Sequence, residues 1–263
     1  MVILGYFSAV IMGVTLGLMG AGGSILTLPI LVYLLQIDPV TASGYSLLIV
    51  GSTALFGAYQ YHKRNLINYK ITFLFSIPAI IAVYSTRTIL IPAIPNVIEI
   101  FHFASISKNS FIMMLFAVLM LVSAYMMIKK DKGFKPHNET NALKLAILVC
   151  LEGLFVGIIT GIVGAGGGFL IIPALVLLTG LDMKEAVGSS LLIISLKSLI
   201  GFVGDIQNGI VIDYYLIALF LLCSIIGMLI GTKIANKFSS SKLKTFFGYF
   251  TLILSTIIIV LEL

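Results

Sequence analysis

Long runs of apolar residues with few polar interruptions dominate the pattern of this chain. Runs long enough to cross a membrane occupy residues 39–61, 71–92, 110–128, 213–236 and 244–262, since a spanning helix needs roughly 20 such residues. The runs are unbroken and rich in leucine and isoleucine, whereas strands of a membrane barrel alternate over about ten residues. The pattern therefore predicts an all-α polytopic membrane protein.

The same pattern is duplicated within the chain. Residues 17–49 recur without a gap as residues 161–193, and 17 of the 33 aligned residues are identical. Each half follows one plan: an apolar segment, a glycine-rich break, a short apolar segment and three longer spans. We expect a first transmembrane repeat over residues 1–130, a cytoplasmic linker over residues 131–141 and a second transmembrane repeat over residues 142–263.

Composition agrees with a lipid environment. Hydrophobic residues make up 60% of the 263 residues and charged residues only 10%, which excludes an ordinary soluble domain. The net charge of +6 comes from basic residues between the spans, so it indicates orientation and not a nucleic-acid partner. The first apolar segment lacks a basic leader and a cleavage site, so it is expected to be a mature helix. We expect a multi-pass protein of the cell inner (plasma) membrane.

Charge between the spans predicts the topology. Basic residues cluster at residues 62–70, 129–144 and 233–244, which should face the cytoplasm, whereas the connections at residues 93–108 and 205–213 should face out. Equivalent loops of the two halves then lie on opposite sides, so the repeats are predicted to be inverted. Each broken region must cross an even number of times, as a re-entrant hairpin or as two unequal crossings. The sequence leaves both forms open.

The glycine-rich breaks are candidate anion sites. A helix that starts at a break presents unpaired N–H groups and the positive end of its dipole. Inverted repeats would bring both breaks face to face at the middle of the membrane. The alternative is that these glycines only allow close helix crossing. The candidate residues are Gly20, Ala21, Gly22, Gly23 and Ser24 in the first half, and Gly164, Ala165, Gly166, Gly167 and Gly168 in the second.

Polar residues inside the spans extend the candidate site. Lys197 lies in an apolar run, too deep for easy contact with water, so it should hold the anion or form an ion pair with Glu152. Ser46 and Ser190 occupy equivalent positions of the two repeats and offer hydroxyl groups to an oxyanion. All three are predicted to bind the substrate.

Three other ionisable groups have alternative roles. Glu152 is the candidate for binding a coupling proton, but it could equally reach cytoplasmic water or pair with Lys144. Arg87 is close to the outer end of its span, so we expect its guanidinium to extend to the membrane surface. Asp38 and Asp182 precede long helices and are predicted to cap them.

Catalytic and metal-binding patterns are missing from the sequence. The three histidines and two cysteines form no metal spacing, and there is no nucleophile elbow and no Walker A motif. We therefore expect neither an enzyme nor an ATP-driven pump, and no cofactor or metal.

The doubled motif carries a family resemblance. G-x-x-G-x-G-G-x-x-x-x-x-P runs from Gly17 to Pro29 and again from Gly161 to Pro173, and each copy is followed by A-x-G-x-S-L-L. In these residues the chain resembles the TauE/SafE sulfite exporter family, also described as 4-toluene sulfonate uptake permeases. The resemblance covers essentially the whole chain. It implies a secondary transporter that moves sulfite or an organosulfonate by alternating access.

Two other functions stay open at this stage. An anion channel could use the same site, and an intramembrane enzyme is a weaker alternative. The expected partners are a small anionic substrate, the lipid bilayer and a coupling proton or other ion. The exact substrate, the direction of transport and the oligomeric state are open.

Overall fold

The computed structural model describes residues 2–20, 22–95, 97–100, 104–128, 142–235 and 240–262. The expected linker at residues 131–141 and the break residue Ala21 lie outside the described residues. The described part is almost entirely helical, which confirms the predicted helical class. One addition is a short antiparallel hairpin in the connection after the fourth helix, where Val97 pairs with Ser107.

The first half contains six helices. They are α1 (Val2–Met19), α2 (Gly22–Pro29), α3 (Pro39–His62), α4 (Tyr69–Ser85), the short α5 (Ile91–Ala93) and α6 (Lys108–Ile128), with strands β1 (Val97–Ile100) and β2 (Ala104–Ser107) before α6. Two π-helical turns extend these elements, Ile30–Leu34 after α2 and Thr86–Leu90 between α4 and α5.

The second half repeats this plan with five helices. They are α7 (Ala142–Val163), α8 (Gly168–Thr179), α9 (Met183–Gln207), α10 (Tyr214–Ala235) and α11 (Ser240–Glu262). Among the described helices, six are long and apolar enough to cross a membrane, namely α3, the α4–α5 segment, α6, α7, α9 and α10. The described apolar part of α11, Gly248–Glu262, is shorter.

Both broken regions turn at a glycine in the left-handed conformation. Gly20 has φ +69° and its N–H donates to the Leu16 carbonyl at 2.7 Å; Gly164 has φ +70° and donates to the Thr160 carbonyl at 2.8 Å. A residue in this conformation ends a helix, and glycine adopts it without steric cost. The sequence placed both breaks correctly.

The helices after the breaks begin earlier than predicted. The sequence assigned residues 20–24 to the first break, yet α2 already begins at Gly22; the second break spans residues 164–167, and α8 begins at Gly168. The first turn of a helix needs no intrahelical partner for its N–H groups, so glycines are tolerated there. Gly22 and Gly23 of the first motif and Gly168 of the second therefore belong to the first turn of a helix.

The first broken region is a helical hairpin. A Cβ atom added to Gly23 would lie 2.5 Å from Leu16 Cβ, and one added to Gly5 would lie 2.8 Å from a methyl group of Leu35. The segment after the break thus returns along α1 toward its start. Its arms are unequal, because α1 has 18 residues whereas α2 has 8 and its π-helical extension 5.

Helix packing is reciprocal between the halves. Helix α1 packs on α10, and its repeat counterpart α7 packs on α4, the counterpart of α10; α3 packs on its own counterpart α9, and α6 on α11. Small residues allow the close approach: a Cβ atom on Gly17 would lie 2.7 Å from the Met228 carbonyl, and one on Gly157 would lie 2.6 Å from the Ala79 carbonyl. Some glycines of this chain therefore do serve helix crossing.

The central pair, α3 and α9, runs antiparallel. Gly44 lies against Asp205, Gly51 against Leu199 and Gly57 against Leu191, so one helix begins where the other ends. Near the start of α3, the Tyr45 hydroxyl donates to the Val211 carbonyl at 2.8 Å. Beyond its end, the Asn68 N–H donates to Ser189 Oγ at 3.0 Å.

Loops that were predicted to face the same side of the membrane lie at the same end of the molecule. Arg64, in the loop after α3, donates to the Thr232 carbonyl in the last turn of α10 at 3.0 Å, and both neighbourhoods were predicted to face the cytoplasm. At the opposite end of α3, the connections predicted to face out both line one cleft, through Ile91, Lys108 and Asp205. This arrangement agrees with the orientation predicted from charge.

Candidate functional site

The two broken regions meet in the interior of the protein. A Cβ atom added to Gly166 of the second break would lie 3.2 Å from Cβ of Ser24, in the first turns of α2. The same atom would lie 2.6 Å from a methyl group of Val50 and 3.1 Å from one of Ile194, which occupy equivalent positions on α3 and α9. Backbone of both broken regions is thus close to the centre of the molecule.

Each break also contacts the long helix of the other half. Gly20 lies against Val187 and Ser190 of α9, and Ser190 Oγ donates to the Val187 carbonyl at 2.9 Å and to the Gly20 carbonyl at 3.5 Å. Gly164 lies against Ser43 of α3, which is the repeat equivalent of Val187. The breaks therefore connect the halves as well as interrupting the helices.

Lys197 lies at the second break. Its side chain is completely buried, and its Nζ donates to Thr160 Oγ1, in the last turn of α7, at 2.5 Å. A Cβ atom on Gly167 would lie 3.0 Å from this Nζ. The equivalent residue of the first half is Thr53, which bonds to Ser224 at 2.7 Å. Only the second half provides a cation at this position.

Within the described residues, Lys197 does not form the ion pair with Glu152 that the sequence left open as an alternative. Glu152 is half-buried on α7, and in the described part of the chain it forms no ion pair with Lys197. It precedes Thr160 by eight residues, which is about 12 Å along a helix axis. Glu152 therefore lies apart from the cluster at the second break.

Arg87 corrects the sequence prediction. It was expected to extend to the membrane surface, but it is completely buried in the π-helical turn. Its Nη1 donates to Ser43 Oγ at 2.9 Å and lies 3.4 Å from Asp205 Oδ1, and its Nη2 would collide with a Cβ atom on Gly164. Arg87 is thus a second cation at the second break.

The helical periodicity contains a signal that would have located Arg87. Ser76, Ala79, Val83 and Arg87 are all buried, and their spacing puts them on one face of the α4 segment. The prediction weighed only the depth of Arg87 in the span, and depth does not give the direction of a side chain. The small and polar residues on this face indicate an interior partner, since lipid-facing positions are apolar.

Several buried polar groups near the second break are unsatisfied within the described structure. They are Arg87 Nε and Nη2, Ser46 Oγ, Ser198 Oγ and Asp205 Oδ2. Ser46 lies on α3 between Ser43, which contacts Gly164, and Val50, which contacts Gly166. A buried donor without an acceptor costs about 1–3 kcal/mol. An oxyanion at this break would provide acceptors for the nitrogens of Arg87 and the serine hydroxyls, whereas Asp205 Oδ2 is itself an acceptor.

The charges of the cluster favour an anion. Arg87 and Lys197 are both completely buried, and within the described residues Asp205 forms an ion pair with Arg87 but not with Lys197. When Lys197 is protonated, the cluster therefore carries one uncompensated positive charge. Such a charge in a membrane interior requires a counter-ion or a polar cavity.

A cleft reaches this cluster from the end of the molecule predicted to face out. It has a volume of about 450 Å³, and its lining includes Thr41, Lys108, Asp205 and Asn208. Asn208 Nδ2 donates to the Arg87 carbonyl at 2.7 Å. Arg87 and Asp205 thus lie between the cleft and the second break.

The capping prediction is confirmed at Asp38, whose side chain accepts hydrogen bonds from the N–H groups of Val40 and Thr41. It is wrong for the side chain of Asp182, which precedes α9 but forms no capping hydrogen bond with it.

Comparison with known proteins gives one consistent result. The family model of the sulfite exporter TauE/SafE matches residues 6–258. A probable membrane transporter protein of Xylella fastidiosa (strain 9a5c) is 27% identical over 88% of this chain and 84% of its own length.

Two relatives from Bacillus subtilis (strain 168) give similar matches. The probable membrane transporter protein YdhB is 27% identical over 89% of this chain and 91% of its own length, and the probable membrane transporter protein YjnA is 29% identical over 88% and 89%. No solved structure gives a significant match. The family match covers nearly the whole chain, including both glycine breaks and every spanning helix, and so the chain belongs to the sulfite exporter TauE/SafE family of membrane transporters.

Proposed function

We propose that this protein is a secondary transporter of a small anion, either sulfite or an organosulfonate, in the cell inner membrane. The observation that carries the proposal is the cluster at the second break: Arg87 and Lys197 are buried beside Gly164 and Gly167, Asp205 pairs with Arg87, and several donors are unsatisfied in the described structure. The family match supports sulfite or a related oxyanion as the substrate.

The site has unequal ends, which supports an asymmetric substrate. Both buried cations contact the second break, whereas the residues around the first break are Val187, Ser190, Leu16 and Met12. We infer that the anionic group binds at the second break and that any organic part points toward the first. An organosulfonate fits this polarity, and sulfite would occupy the charged end alone.

Alternating access would follow from inverted repeats. The antiparallel arrangement of the equivalent helices α3 and α9, and the reciprocal packing of α1 on α10 and α7 on α4, support such a symmetry. Exchanging the conformations of the two halves would then close one side of the site and open the other. We propose that the halves rock around the region where Ser24 meets Gly166.

The first test is a thermal-shift screen of the purified protein with sulfite, sulfate, thiosulfate, taurine, methanesulfonate and chloride. A ligand that binds the folded state raises its melting temperature. We expect stabilisation by a sulfur oxyanion, and Lys197→Ala should weaken this binding by about tenfold to a hundredfold, since a hydrogen bond from a charged group is worth about 1.5–3 kcal/mol.

A matched control separates local from general charge effects. Lys184→Ala removes the same charge from the first turn of α9, about 20 Å along the helix from Lys197 and the second break, and should leave anion affinity unchanged. Equal affinity of wild type and Lys197→Ala would contradict the assignment of Lys197.

In proteoliposomes, saturable flux with substrate exchange supports a transporter, whereas large uncoupled conductance would show an anion channel.

A further inference from the structure

The ion pair between Arg87 and Asp205 is incomplete. The Nη1 to Oδ1 distance is 3.4 Å, and the same Nη1 donates to Ser43 Oγ at 2.9 Å. Arg87 Nε and Nη2 and Asp205 Oδ2 have no hydrogen-bond partner in the described structure, although all are buried. Arginine and carboxylate usually form two parallel bonds of about 2.7–2.9 Å. The guanidinium therefore has free capacity for a second anion.

Arg87 contacts two different regions. On one side its Nη2 lies against Gly164 of the second break. On the other side its Nη1 lies near Asp205, which lines the outer cleft and is 6% exposed. The same cation can thus serve the substrate and the carboxylate, but an oxyanion bonded to both terminal nitrogens would compete with Asp205.

Other charged groups at this end of the described chain have their own partners. Lys108 Nζ donates to the carbonyls of Ile91 at 2.5 Å and Ile94 at 3.4 Å. Three carboxylates accept hydrogen bonds: Asp38 from Asn109 Nδ2 at 2.7 Å, Asp213 from the N–H of Leu216 at 3.0 Å, and Glu262 from the Tyr33 hydroxyl at 2.6 Å. Lys197, eight residues earlier on α9, is bonded to Thr160. Arg87 is therefore the cation that neutralises Asp205.

Loss of that partner has a direct electrostatic consequence. A buried carboxylate without a counter-charge is strongly disfavoured, and in proteins such a group usually takes up a proton. Asp205 can receive a proton from water in the outer cleft that it lines. Binding of the anion at Arg87 and binding of a proton at Asp205 then favour each other, because thermodynamic coupling is reciprocal.

We propose that Asp205 is the proton-coupling residue of this transporter: an anion that engages Arg87 releases Asp205, which binds a proton from the outer cleft, and the two ions cross together. This inference rests on the proposed function at the second break. It replaces Glu152, which lies away from both Arg87 and Lys197, as the coupling candidate.

The test compares the pH dependence of anion affinity in three purified proteins: wild type, Asp205→Asn and Glu152→Gln. The probes are methanesulfonate and sulfite. Uptake of one proton per anion makes the wild-type affinity rise as pH falls, by up to about tenfold per pH unit. Asp205→Asn should lose this rise, while Glu152→Gln, which removes the carboxylate of α7, should keep it. The protonation of sulfite in solution changes its apparent affinity equally for all three proteins, so it does not affect the comparison between them.

A second measurement keeps the proposal testable if Asp205→Asn does not fold. Wild-type protein in weakly buffered solution should take up about one proton from solution per anion bound. Identical pH profiles of wild type and Asp205→Asn, loss of the profile in Glu152→Gln, or binding without proton uptake would each overturn the role of Asp205. These results would not contradict the proposed anion site at the second break. If no anion bound to the wild-type protein, the proposed function itself would be overturned.

Discussion

Two buried cations flank the second break, and their neighbours give them different roles. Within the described residues Lys197 has one hydrogen-bond partner, the hydroxyl of Thr160, and its Nζ lies beside Gly167. Arg87 has a planar group whose nitrogens face Ser43, Asp205 and Gly164 in turn. Arginine can bind an oxyanion through two nitrogens, which lysine cannot. We therefore propose that Arg87 orients the bound anion, whereas Lys197 contributes positive charge.

Arg87→Lys tests this difference at the residue scale. The variant keeps the positive charge but loses the paired donors, so we expect a folded protein whose anion affinity falls by about tenfold or more. Arg87→Ala should also lower the melting temperature, because removing one partner of a buried ion pair costs about 3–5 kcal/mol. The double variant Arg87→Ala with Asp205→Ala should recover part of that loss. An Arg87→Lys protein with wild-type affinity would show that charge alone suffices.

At the scale of elements, the break glycines differ from the packing glycines. Gly157 approaches the backbone of a neighbouring helix, as expected for helix crossing in membranes. Gly164 and Gly167 combine left-handed backbone with side chains of the ion cluster around them. Close helix crossing therefore accounts for Gly157, whereas the anion site at Gly164 and Gly167 stays a proposal.

Comparing Gly164→Ala with Gly209→Ala separates the effect of backbone strain from the effect of a side chain that blocks the proposed anion site. Both glycines have left-handed backbone, with φ +70° and +78°, so alanine should cost about 1–2 kcal/mol at either site. A Cβ atom on Gly209 meets no atom within 4 Å, whereas one on Gly164 collides with Arg87 and Ser43. Thermal shifts should show destabilisation in both variants, larger in Gly164→Ala because of these collisions, with anion binding lost only in Gly164→Ala. Loss of binding in both variants would assign the effect to backbone strain.

For the whole molecule, the arrangement of α3 and α9 predicts opposite orientation of the halves. The cleft at Asp205 and the loop after His62 lie at opposite ends of α3. The distribution of basic residues then predicts that the basic loops face the cytoplasm and the cleft faces out. With this orientation, the proton that we propose for Asp205 would come from the outside.

Cysteine labelling in intact cells tests that orientation. In a background with Cys150 and Cys223 replaced by alanine, a membrane-impermeant thiol reagent should label Val211→Cys, which is 82% exposed, from outside. Lys63→Cys, in the loop after α3, should be labelled only after the cells are permeabilised. The reverse pattern would invert the topology and place the cleft on the cytoplasmic side.

The sequence by itself determined the helical class, the duplication, the positions of both breaks and the burial of Lys197. These features depend on local composition and on the spacing of apolar residues, since a span is recognised by its length and a helix end by its glycine. The family resemblance followed from the doubled motif and was confirmed by the family match over residues 6–258.

Only the tertiary structure decided which charges meet. Arg87 and Ser43 are 44 residues apart in the chain, and Asp205 belongs to the other half, so no local pattern joins them. The position of a residue within an apolar run gives its depth along a span, and helical spacing gives the face on which it lies, whereas its partners depend on which helices are neighbours. The assignment of the ion cluster to the second break, and the separation of Glu152 from it, therefore required the packed arrangement of both halves.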